Sequence, residues 1–255
     1  MNAIGVLVAA IVLAASILAG CGGSGDSTDA SRPELVVFGA ASLGPAFEKY
    51  GDDFDGADVR FSFAGSDDLA AQIRQGVTPD VYAAANTSLP EELHKDGLLD
   101  RPTTFASNKL VIGVPEGSEI KDVADLEQPG FKIAIGDEEV PVGIYTREVL
   151  KALGPGAEQA ILANVASSEP DVAGIVGKLT QGAVDAGFVY VTDVNATNGQ
   201  LKAIELPPEV EPQVTYEAGV VKGAKHPTEG QDYVDGLTNG ACANALKKAG
   251  FGPAP

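Results

Sequence analysis

The chain has 255 residues, with 36 Asp and Glu against 17 Lys and Arg, for a net charge of −19. Such an acidic balance excludes nucleic acid as a partner, because neutralising phosphates takes Lys and Arg. Two cysteines and two histidines, His94 and His226, none at metal-ligand spacing, offer no Cys-based zinc site.

Residues Ala3 to Ala19 carry no charge and lead into Leu18-Ala19-Gly20-Cys21. A short apolar run closed by small residues reads as a secretory signal over 1–20 rather than as a membrane span. Its ending resembles the bacterial lipobox, which would make Cys21 a lipidated N-terminus that holds the protein to the outer face of the cell membrane. The stretch 21–32, opening Cys21-Gly22-Gly23-Ser24-Gly25, is a polar flexible tether. About 225 residues then remain, enough for substantial cores. With Cys21 acylated, Cys242 has no partner in the chain, and its small-residue helix suits a buried thiol.

From residue 33 onward, apolar strands alternate with helices, which points to α/β architecture with largely parallel sheets. Leu35–Phe38 is a strand, followed by a helix from Gly44 to Phe54 that turns Phe47, Tyr50 and Phe54 inward. Val59–Phe63, a helix over 69–75 and strand Asp80–Ala84 follow, then a short helix from Pro90 to Lys95. Lys109–Val114 is a long apolar run suited to crossing between lobes. A second unit comprises strand Lys132–Ile135, helix Val142–Leu153, a strand near Val165, helix Val172–Thr180 and strand Ala186–Val191. Thr215–Val221 reads as a strand returning to the first lobe, and 231–248 as a closing helix pair. Two lobes, 33–108 with 216–255 and 109–215, imply a hinged cleft that closes on a ligand.

Several strand ends are chemically suggestive. Gly39-Ala40-Ala41-Ser42 and Ala64-Gly65-Ser66 each place a serine where a strand gives way to a helix. A serine N-cap there offers a hydroxyl and backbone N–H groups at the positive end of the helix dipole, a ready anion site. Taken singly, each serine has the plainer reading of a helix cap. In the second unit, Pro141 opens a helix and leaves the N–H groups of Val142 and Gly143 unpaired. Asp171 is an N-cap that makes Val172 the first helical residue. Tyr190 ends a strand and can aim a phenol O–H into the cleft, where open α/β sheets bind ligands.

Five segments, in order and at matching spacing, resemble the bacterial molybdate-binding proteins, the extracytoplasmic receptors of molybdate ABC importers. They are Phe38 to Leu43, Phe63 to Ser66, Gln72 to Asp80, Gly136-Asp137 with Val140 to Tyr145, and Asp185 to Tyr190. The resemblance runs from about Glu34 to Gly252. It implies an α/β, two-lobed periplasmic-binding-protein type II fold that holds a tetrahedral oxyanion between its lobes by neutral hydrogen bonds. Carried over by position, the donors are Ser42 and Ser66 through hydroxyls and adjacent N–H groups, the N–H groups of Val142 and Val172, and the hydroxyl of Tyr190. The resemblance further implies molybdate or tungstate as ligand, an ABC permease and ATPase as partners, a monomer, no cofactor, and no metal bound directly by protein. This chain departs from the family pattern with Val142 in place of a common alanine, and with Asp67 and Asp68 after the second serine; a carboxylate facing the anion would oppose it.

Other classes fare worse. A serine hydrolase needs a nucleophile with a histidine in reach, but no Gly-x-Ser-x-Gly surrounds Ser42 or Ser66. Other tetrahedral anions, sulfate or phosphate, stay open on sequence alone, since pocket size and any acceptor within it decide between them.

Overall fold

The structure, a computed structural model, describes residues 32–255. The signal, Cys21 and nearly all of the tether lie outside the described residues. In chain order the elements are β1 (Glu34–Ala40), α1 (Gly44–Asp52), β2 (Asp58–Ala64), α2 (Ser66–Arg74), β3 (Val81–Ala84), α3 (Ser88–Lys95), β4 (Thr103–Asn108), β5 (Leu110–Pro115), β6 (Ile133–Gly136), α4 (Pro141–Leu153), α5 (Pro155–Ala163), β7 (Val165–Glu169), α6 (Val172–Thr180), β8 (Ala186–Tyr190), α7 (Val191–Ala196), β9 (Leu201–Glu205), β10 (Val214–Val220), α8 (Pro227–Gly236) and α9 (Gly240–Ala249).

These strands form two five-stranded sheets, ordered β2-β1-β3-β10-β4 and β7-β6-β8-β5-β9. Both have the same plan. Three strands run parallel (β2, β1, β3 in one; β7, β6, β8 in the other), joined in chain order through one helix or, between β6 and β7, two. The fourth position is taken by a strand that has just arrived from the other half of the chain, β10 or β5, running antiparallel to both neighbours. Each sheet is therefore parallel in four strands and reversed in one. The reversal follows from entry at the cleft end, where the chain crosses from one sheet to the other between Asn108 and Leu110.

The sequence expectations for α1, α2, β3, α4, α6, β8 and β10 hold to within a few residues. Elements it missed are β4, α5, α7 and β9. Residues 103–108, Thr-Thr-Phe-Ala-Ser-Asn, are too polar to read as a strand, yet they pair at the sheet edge with β10. Edge strands bury one side only and so carry a weak apolar signal.

The central strands β3, β6, β8 and β10 are buried along their whole length. Helices cover them, as near-continuous apolar strands require. Between α1 and α8 lies an aromatic cluster of Tyr50, Phe47 and Phe54 around Tyr233, with ring centroids 4.7, 5.8 and 5.4 Å from it respectively. Cys242 is the one cysteine among the described residues, a free thiol buried in this region. Desolvation pushes it up to about 12, so it stays a thiol. No helix among the described residues is long and apolar enough to cross a membrane.

Candidate functional site

The shared plan of the two sheets places equivalent strand ends face to face. In the first sheet β1, β2 and β3 end at Ala40, Ala64 and Ala84; in the second β6, β7 and β8 end at Gly136, Glu169 and Tyr190. One small cavity lies between these ends, lined by Ser42, Ser66 and Ala85 from the first set and by Val142, Val172 and Tyr190 from the second. All five residues expected from sequence thus line a single space, and no Lys or Arg among the described residues joins them. It is a small, partly open space, on the scale of a compact ion.

The serines do not cap their helices as the sequence led one to expect. Ser42 sits inside a 3-10 turn, Ala41–Leu43, with Ala40 as its N-cap. Ser66 is the first residue of α2, with Gly65 as its N-cap. Neither helix end has a side-chain cap, since Ala40 and Gly65 carry no side-chain acceptor, and the serine hydroxyls are engaged elsewhere. Ser66 Oγ accepts from the Ala85 N–H at 3.1 Å, while its carbonyl accepts from the Tyr82 hydroxyl at 2.7 Å. Since a backbone N–H can only donate, the Ser66 proton remains free to donate. Ser42 Oγ meets the Tyr216 hydroxyl at 2.9 Å. Both serines are almost wholly buried.

The second half of the site is mainly backbone. The first intrahelical bond of α4 runs from the Ile144 N–H to the Val140 carbonyl at 3.0 Å, leaving the Val142 N–H outside the helical ladder, as at any helix start. Arg147 braces this turn by donating to the carbonyls of Gly136 and Gly143 at 3.0 and 3.1 Å. In α6, Asp171 Oδ1 on the cavity wall caps the helix by accepting from the Gly174 N–H at 2.9 Å, and the Val172 N–H is left over. Two helix ends and their dipoles supply positive potential without a formal charge.

Tyr190 completes the wall. Its hydroxyl is buried and has no hydrogen-bond partner among the described residues. Burial pushes its pKa far up, with Tyr216 and Tyr145 nearby adding to the effect, so the phenol keeps its proton. An unsatisfied buried O–H costs about 1–3 kcal/mol, and an anion in the cavity would remove that cost. Behind it, Asp193 accepts from the Tyr190 N–H at 2.9 Å. Burial raises the Asp193 carboxyl to about 7, against the lowering pull of that N–H, and Asp171 raises it further.

The lobes meet closely at the rim. A β-carbon built on Gly65 would stand 2.6 Å from the Pro170 carbonyl oxygen, so only glycine permits this approach. Asp67 and Asp68 do not line the cavity. Asp67 is half-buried beside Gly65, and one of its carboxylate oxygens has no partner among the described residues. Burial raises its pKa, with the charges of Asp68 and Glu139 adding to the rise. Sequence reasoning missed Ala85, Tyr216 and Gly65. The signal for Tyr216 was its place within the buried strand 214–220; nothing in the sequence marked Ala85.

Residues 35–252 match the family model of the bacterial extracellular solute-binding proteins. The chain is 34% identical to the molybdate-binding protein ModA of Mycobacterium tuberculosis, over 94% of this chain and 95% of that protein. It is 31% identical to the molybdate-binding protein ModA of Escherichia coli, over 87% of this chain and 90% of that one. Among solved structures, the periplasmic molybdate-binding protein of Azotobacter vinelandii shares the fold with a TM-score of 0.75 at 21% identity, over 85% of this chain and 98% of the other.

Proposed function

The chain belongs to the family of bacterial extracellular solute-binding proteins, and from that premise we propose that it captures molybdate, and tungstate with it, for delivery to an ABC importer. It is a binding component of transport, not an enzyme, and needs no cofactor. The relatives over 30% identical along most of their length are molybdate-binding proteins, which supports the ligand. The observation that carries the site is the convergence of donors from both halves on one small cavity, with the Tyr190 hydroxyl unpartnered there.

In this reading Ser42, Ser66 and Tyr190 donate through hydroxyls, and Val142 and Val172 through backbone N–H groups. Molybdate and tungstate carry no proton at neutral pH and so need donors only. The net charge of −19 opposes an approaching anion, but salt screens it over about 8 Å, and local donors then decide. The division into lobes 33–108 with 216–255 and 109–215 is supported by sheet membership, with β10 starting at Val214. Calorimetric titration of the mature chain with molybdate, tungstate, sulfate and phosphate tests the ligand. Tight binding of the first two and weak binding of the others is expected; phosphate or sulfate binding as tightly as molybdate would refute it.

We further propose that Cys21 is acylated and tethers a monomeric receptor to the outer face of the cell membrane. The small-small-Cys ending and the polar tether after it support this. Cys21→Ala is expected to release the protein or leave it unprocessed. Mass spectrometry of the native protein that finds a soluble chain with no lipid on Cys21 would contradict it.

A further inference from the structure

Behind Ser42 lies a chain of buried hydrogen bonds that reaches the crossing between lobes. Ser42 Oγ meets the Tyr216 hydroxyl at 2.9 Å, and Tyr216 meets Asn108 Nδ2 at 3.3 Å. The same Nδ2 donates to Thr192 Oγ1 at 2.9 Å. Asn108 is the last residue of β4, Tyr216 lies in β10, and Thr192 is in α7 directly after Tyr190. All four side chains belong to buried residues.

Donor and acceptor chemistry orients the stretch from Asn108 through Tyr216 to Ser42. Asn108 Oδ1 accepts from the Lys109 N–H at 2.9 Å. A backbone N–H can only donate, so this contact fixes the amide orientation and turns the NH₂ group toward Tyr216 and Thr192. An amide NH₂ can only donate in turn, so the Tyr216 oxygen accepts from it. Among the described residues Ser42 Oγ is the acceptor that the buried Tyr216 hydroxyl meets, so giving its single proton to Ser42 satisfies it, whereas accepting from Ser42 would strand that proton. With that oxygen accepting, the proton of Ser42 is the group left in need of a partner, and the cavity is the space it faces.

We propose that Asn108 and Tyr216 are positioning residues that fix Ser42 as a hydrogen-bond donor and so make the cavity discriminate against oxyanions that carry a proton. This rests on the cavity holding an oxyanion as described above. A hydrogen-bearing anion presents an O–H that needs an acceptor, and toward Ser42 it meets another O–H. Burial keeps the Tyr216 phenol protonated, so the relay stays set in one direction. Replacing the asparagine by a nearly isosteric acceptor reverses it: Tyr216 donates to the new carboxylate, Ser42 donates to Tyr216, and the serine oxygen turns its lone pairs to the cavity.

The test is calorimetry on the mature chain at pH 8, where molybdate and hydrogen phosphate are both dianions, so that added charge at residue 108 weakens both alike. The readout is the ratio of molybdate to phosphate affinity in the parent, Asn108→Asp, Tyr216→Phe and Ser42→Ala. The ratio is expected to fall about tenfold in Asn108→Asp, the worth of one hydrogen bond, and by less in Tyr216→Phe, where Ser42 is free to turn either way. A purely structural role would lower both affinities and leave the ratio alone. Should Asn108→Asp fail to fold, Tyr216→Phe carries the comparison. An unchanged ratio in the folded variants, with Ser42→Ala still weakening molybdate, overturns this inference alone. A parent that binds no molybdate, or a Ser42→Ala that binds it unchanged, overturns the site itself and this inference with it.

Discussion

The two halves of the cavity stand at equivalent places in equivalent sheets, yet they bring different chemistry. After β1 and β2 the first helical turns present Ser42 and Ser66; after β6 and β7 they present Val142 and Val172. In the proposed reading the first half therefore works through hydroxyls whose geometry neighbours set, Ala85 for one and Tyr216 for the other. In the same reading the second works through main-chain N–H groups that any residue but proline would offer, with Tyr190 as its one side-chain donor. One consequence is that the first half is sensitive to side-chain replacement and the second to backbone position.

The strongest way to break the comparison is to keep the halves apart. Gly65→Val puts carbon atoms against the Pro170 carbonyl and should hold the cleft open. That forfeits the second-half donors together, each worth about 1.5–3 kcal/mol to a charged ligand. Affinity for molybdate should fall on the order of a thousandfold while the melting temperature of the unliganded protein stays close to the parent's. Near-parental binding in titration calorimetry would show that the lobes need not meet there.

Within the first half, Ser42→Ala or Ser66→Ala should each cost about ten- to a hundredfold in affinity. Val142→Ala and Val172→Ala, at the matching positions, should each stay within about threefold, because the donor survives the change. Measured side by side, these four variants sharpen the contrast; equal losses on both sides would abolish it.

Much of this arrangement was legible in the sequence. Small-residue strand ends leading into helices marked Ser42 and Ser66, Pro141 marked the free N–H of Val142, and Asp171 behaved as the cap it resembled. The role of the serines was misread, since a hydroxyl one or two positions into a turn looks like a cap until its true partner is known. Those partners, Ala85 and Tyr216, lie 19 and 174 residues away, and no local pattern encodes such pairings. The polar edge strand β4 escaped for a related reason, because its signal lies in its pairing with β10 rather than in its own composition.

A subtler difference concerns the support beneath Tyr190. Asp193, with its carboxyl raised to about 7 in the fold by burial, has an unfolded value near 3.9. The unfolded chain loses this proton first, so the group's stabilising contribution is full below about pH 4 and is lost as pH rises through 7. Relative to Asp193→Asn, the unliganded parent should lose on the order of a few kcal/mol between those limits. Thermal melts of both proteins from pH 4 to 8 measure it, and parallel curves would show that Asp193 titrates alike in both states.

The central claim is that one oxyanion is held jointly, by side chains from one half and largely by backbone from the other. Its most direct test is a single calorimetric comparison with molybdate. The combined Ser42→Ala, Ser66→Ala, Tyr190→Phe variant is set beside the combined Val142→Ala, Val172→Ala variant, with both folds verified by thermal melting. The account predicts that the first loses measurable binding while the second binds within about tenfold of the parent. If the first variant bound molybdate as the parent does, the cavity between the strand ends would not be the binding site.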